Sequence, residues 1–257
     1  MLRWQVRVLA KKMDTYKVLS NHFKSSSLNF ILDEYGCCYM QSDNFNSFAD
    51  DGYVEDVQDI ANNYVKLING MMTVNLNLEN DSLSTQEIVV QYKDGKKKAF
   101  MYNSDTYDLQ GRVNIRTDLN HDERLENKPA KWIELAFNEE KVNQALSIIR
   151  FGLNDAVVMY KVYEIIRDDL TRTFTTGKKR PRDLFVNIDP KYTDQEVSTF
   201  TGSVNDVRVL GDNARHAEDR SNNGVMKRSM TREECKDFIY ELFYRWMHYK
   251  QNKEKYI

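Results

Sequence analysis

The sequence predicts an α+β protein, with a mixed or antiparallel β-rich N-terminal domain over residues 1–130 and a helical bundle over 131–257. Three observations predict it. Short runs of period-two hydrophobicity dominate before residue 130, helical periodicity dominates after it, and a polar stretch from Thr117 to Lys131 separates the two textures. The chain has 257 residues, 41% of them hydrophobic, which is enough apolar material for a sizeable core.

Taken in order, Met1 to Met13 alternate charge with hydrophobicity and lack the apolar block and small-residue cleavage site of a secretory signal. Tyr16 to Leu19, Leu28 to Leu32 and, after the turn glycine Gly36, Cys37 to Gln41 read as strands. A single helix then interrupts the strands. Val54, Val57, Ile60, Ala61, Tyr64, Leu67, Ile68 and Met71 recur at helical spacing, with Asp51 near the start and Gly70 near the end. Glu87 to Tyr92 and Lys96 to Tyr102 flank Asp94-Gly95, whose capacity for positive φ predicts a tight hairpin. Arg112 to Arg116 alternates once more. The polar connection follows, with Pro129 near its end.

Beyond it, Val142, Ala145, Leu146 and Ile149 form one helical stripe, and Gly152 lets the chain turn. Asn154 is positioned to cap a strongly apolar helix from Asp155 to about Leu170. Thr193 with Glu196, and Thr231 with Glu234, have the spacing of capping boxes that open helices to about Val204 and Lys250. Polar excursions at Thr171–Asp189 and Asn213–Ser229 interrupt these helices.

Composition excludes several functions. Thirty-seven basic residues against 39 acidic ones leave a formal charge of -2, so nucleic acid could be held only by a local patch. No apolar run approaches the roughly 20 residues of a membrane helix, and no membrane partner is expected. Three cysteines, Cys37, Cys38 and Cys235, form no disulfide framework and fit a reducing cytoplasm. None of the four histidines stands at zinc-ligand spacing from a cysteine, and His121 in its loop has no second ligand at fixed spacing. There is no glycine-rich phosphate loop, serine elbow or paired-histidine helix, so no cofactor is expected.

The segment from Asn205 to Arg220 is the richest in chemistry. It gathers carboxylates, amides, Arg208, Arg215, Arg220 and His216 around Gly211. A histidine exchanges protons near neutral pH, and an arginine holds phosphate with paired donors. Together they suit phosphodiester cleavage, with His216 as acid or base and Arg208 or Arg215 stabilising charge on phosphorus. The same residues also read as structural ties, since Asp212, Glu218 and Asp219 are ready ion-pair partners.

A long helix with a polar stripe, an Arg…His segment and a final amphipathic helix together resemble the HEPN superfamily over about residues 138–250. That resemblance implies a small helical domain of bacterial defence, toxin or stress systems. It also implies metal-independent RNA cleavage by an arginine and a histidine, assembled across a homodimer. Arg208 and His216 have seven residues between them, a wider interval than the superfamily's, and Arg215 directly precedes the histidine. Glu164, on one stripe with Lys161 and Asp168, takes the place of the supporting acid. Lys178, Lys179, Arg180 and Arg182 put four charges into five loop residues, enough for a few RNA phosphates. Lys96 to Lys98 sit on the hairpin, where lysines blunt a sheet edge. The competing reading is a non-catalytic binding or sensor module. In it the N-terminal half binds a protein partner or ligand, and the helical half dimerises or relays the signal.

Overall fold

The computed structural model describes residues 3–23, 27–74, 81–101, 129–174, 181–206, 210 and 229–253, with backbone only over 181–183. The chain divides into two compact units, Met1–Glu134 and Leu135–Ile257.

In the first unit, β1 (Arg3–Leu9) alternates without a break. Trp4, Val6 and Val8 turn to one face and are buried, while Arg3, Gln5 and Arg7 turn to the other. Such a strand can lie at the centre of a sheet, and it does. β2 (Leu28–Leu32), β3 (Cys38–Ser42), β4 (Ser84–Gln91) and β5 (Lys97–Met101) complete an antiparallel sheet in the order β2-β3-β1-β4-β5. The β4–β5 turn places Gly95 at φ 83°, the left-handed conformation that the Asp-Gly pair predicts.

α1 (Met13–His22) and α2 (Val54–Val74) cover the Trp4–Val6–Val8 face. Phe23, just beyond α1, meets Phe30 edge-on at 5.4 Å, and the Tyr64 hydroxyl of α2 is 2.9 Å from Ser42 Oγ on β3. Gln58 and Asn62 of α2 both bond the hydroxyl of Thr85 on β4. With β1 flanked by β3 and β4, and two helices on one face, the order of elements is that of a split βαβ unit extended by one hairpin strand.

Two expectations are corrected here. Tyr16 to Leu19 belong to α1, not to a strand, so α2 is not the single helix among the strands. Lys12, at the helix start, makes no side-chain cap bond, and the chain entering the helix is held instead by Asp81. The buried Asp81 carboxylate accepts from Lys11 N at 2.7 Å, from Lys12 N at 3.3 Å and from the Thr15 hydroxyl.

The second unit is helical. α3 (Pro129–Asn138) leads into it, followed by α4 (Glu140–Ile149), α5 (Ala156–Phe174), a 3-10 segment (Pro181–Asn187), α6 (Asp194–Asn205) and α7 (Arg232–Gln251). Pro129 opens a helix rather than closing a loop, since its missing N–H costs nothing at a first helical position. α5 contacts α4, α6, α7 and the 3-10 segment, as its many apolar positions require. Its N-terminus is bonded by Asp155, whose carboxylate accepts from Val157 N at 2.7 Å. Asn154 instead uses its carbonyl, which accepts from Arg232 at 2.5 and 3.2 Å. Thr193 accepts from Glu196 N, and Thr231 with Glu234 forms the full reciprocal box.

The interior of this unit is aromatic. Tyr163 stacks on Phe185 at 5.4 Å and Phe200 on Phe238 at 4.6 Å. It also holds charge. Asp169 of α5, 7% exposed, accepts from Trp246 Nε1 and from Lys250 Nζ, both at 2.8 Å. Lys250 reaches Glu139 at 2.9 Å, and Glu139 reaches Lys253 at 2.6 Å. Two cations and two carboxylates thus close an electrically balanced network. Burial draws the Glu139 carboxyl upward, but the ammonium groups of Lys253 and Lys250 outweigh it and leave the group below its ordinary range. Burial likewise draws Lys250 down, and Asp169 and Glu139 more than reverse that.

Candidate functional site

Of the residues assigned to catalysis or RNA binding by sequence, Glu164 is the one whose side chain is among the described residues. It lies on α5 with 39% of its side chain exposed, and its carboxylate stands 3.8 Å from the guanidinium of Arg167, one turn on. Asp168, on the same stripe, is held more firmly, by Lys141 at 2.5 Å and Arg172 at 3.2 Å. The Lys141 bond sets its carboxyl below the ordinary range. Lys161 of that stripe is exposed. Arg208, Arg215, His216, Lys178, Lys179, Arg180, His121 and the Arg112–Arg116 run lie outside the described residues, as does the Arg182 side chain.

The described residues that precede and follow this stretch nonetheless meet. Ser203, in the last turn of α6, is fully buried, and its hydroxyl accepts from Met230 N at 2.8 Å, just before α7. Two positions 27 apart in sequence therefore meet at one point. Both flanking helices pack on α5, the helix that carries Glu164.

A second constellation, in the first unit, escaped sequence reasoning. The stretch Asn46–Ala49 and the hairpin residues Tyr92–Asp94 line a groove of about 580 Å³, within the size range of small-ligand sites. Asp51 ties its two sides together: Oδ2 accepts from the Tyr92 hydroxyl at 2.9 Å and from Lys98 Nζ at 2.6 Å. The Lys98 bond, then that of Tyr92, holds the Asp51 carboxyl below its ordinary range, and Asp51 in turn raises both partners. Phe48 stacks on Tyr53 at 5.3 Å, and its carbonyl is 3.4 Å from Trp4 Nε1. The clamp joins positions 47 apart in sequence, so the one signal available was the Asp-Gly hairpin bringing Tyr92 and Lys98 together.

Among the described residues, no group of three His, Cys, Asp or Glu side chains is placed to hold a metal ion, and no helix is long and apolar enough to cross a membrane. No family model matches the chain, and no curated protein or solved structure is significantly similar to it.

Proposed function

We propose that the chain is a HEPN-like bacterial defence or stress protein of the cytoplasm, whose helical unit is a bundle that dimerises and cleaves RNA without a metal. His216 serves as acid or base, Arg208 or Arg215 stabilises charge on phosphorus, and Glu164 supports them from α5. Lys178, Lys179, Arg180 and Arg182 hold the RNA backbone. The observation behind this reading is that α6 and α7, which precede and follow the Arg/His segment in the chain, both pack on α5, the helix of Glu164. Replacing His216 by alanine abolishes RNA cleavage, and cellular toxicity with it, while circular dichroism stays unchanged. Equal activity in that variant removes the catalytic claim.

One observation favours a second reading, a recognition module without catalysis. The α5 stripe already has its charges matched, Asp168 to Lys141 and Arg172 and Glu164 to Arg167, while the clamped groove lies in the first unit. Purified protein that degrades no RNA but captures a cellular or phage protein through residues 1–116 favours it.

A further inference from the structure

The sheet face turned away from α1 and α2 is assigned no residue role in either reading. Strand alternation brings Tyr39, Gln5, Gln41, Gln91, Arg3 and Lys97 to it. The cross-strand register sets Tyr39 beside Arg7, and aligns Arg3 with Gln91 and Gln91 with Lys97. Arg3 and Lys97 are exposed, and the ring and the three amides are half-buried.

Chemistry limits what such a face can take. Its carboxylate, Glu87, is matched by Arg7 at 3.7 Å, so Arg3 and Lys97 leave a local positive charge on a chain whose total is -2. A peptide anchored by apolar side chains finds no continuous patch. Val89 at the centre is 8% exposed, and the accessible Ile31 and Met101 lie on the two opposite edge strands. Primary amides donate and accept at once, as base edges require. An aromatic ring stacks on any base, and cations meet phosphates. A single strand offers all three groups together, whereas a duplex hides its base edges and faces.

The geometry points to this sheet face as a docking surface for single-stranded nucleic acid, with a base on Tyr39, base edges on Gln5, Gln41 and Gln91, and phosphates on Arg3 and Lys97. It requires a strand to be held, not cut, and so stands whether or not the helical unit is a nuclease.

The test uses the full chain carrying His216→Ala, so that the probe survives if the protein cuts RNA. Fluorescence anisotropy follows a short mixed-sequence RNA, the same sequence as DNA, and an RNA duplex. The single strands bind and the duplex does not. Equal affinity for the DNA also supports the proposal, since no side chain here is asked to read a 2′-hydroxyl. Tyr39→Ala weakens binding roughly tenfold, Tyr39→Phe retains it, and Tyr35→Ala, in the β2–β3 turn, changes nothing. The double change Arg3→Ala with Lys97→Ala flattens the log–log salt dependence by about 1.4, at about 0.7 per cation. It also provides an independent reading should Tyr39→Ala lose its fold. Absent single-strand binding, equal duplex binding, or variants that bind like the parent overturn the proposal.

Discussion

Replacing Lys250 by methionine isolates the energetics of the charge network inside the helical unit. The Lys250 side chain is 2% exposed and gives ammonium protons to Asp169 and Glu139. Methionine fills much of the same volume, so the loss is electrostatic rather than a cavity. It leaves Glu139 with Lys253, but strands the Asp169 carboxylate, 10% exposed, with the Trp246 N–H alone. Breaking one side of a buried ion pair costs about 3–5 kcal/mol. At a urea dependence of about 2 kcal/mol per molar, the midpoint falls by roughly 2 M. Far-ultraviolet circular dichroism across a urea series measures it. The double variant with Asp169→Asn must lose less than the sum of the singles, because each removes the other's burden. A midpoint unchanged by Lys250→Met, or strict additivity in the double variant, refutes the network as a coupled unit.

The same network sets a dome-shaped pH profile. Glu139 titrates below its ordinary 4.5, so its contribution is complete above that pH and is lost as acid carries the solution through the depressed folded value. Lys250 titrates above 10.5, so its contribution is complete below that pH and is lost as alkali passes the raised folded value. Urea midpoints across pH trace both limbs, and Glu139→Gln flattens the acid one. Asp81→Ala leaves the Lys11 and Lys12 amides and the Thr15 hydroxyl without their acceptor and costs about 2–3 kcal/mol; hydrogen exchange of the α1 amides accelerates before that of α2. Thr231→Ala removes half of the α7 capping box and costs about 1 kcal/mol by urea unfolding.

Elements fixed by their own residues were legible. α2, the Asp-Gly hairpin and the α7 capping box each carry a local pattern whose cause lies within one window, whereas β1 was not read as a strand although its residues alternate. α1 was not legible, because Tyr16 to Leu19 are good strand formers and the group that holds the entry to the helix, Asp81, is 66 residues from Thr15. Asn154 and Asp155 are adjacent and equally fit to bond a helix start. The helix begins at Ala156, one residue later than read, which puts Asp155 rather than Asn154 directly before it. On the candidate site, Glu164 fell on the exposed side of α5 as its spacing required, but its companion Asp168 owes its partner Lys141 to a different helix. The groove and its Asp51 clamp join the Phe45–Tyr53 stretch to a hairpin, with Asp51 and Lys98 47 residues apart, and a clamp of that span leaves no periodic trace.

The Ser203 hydroxyl donates to the Thr199 carbonyl and accepts from the Met230 amide, each at 2.8 Å, so one buried oxygen seats the approach to α7 on the last turns of α6. A residue lacking that oxygen strands an amide where no water reaches it, and the two helices lose the stitch that keeps them in step.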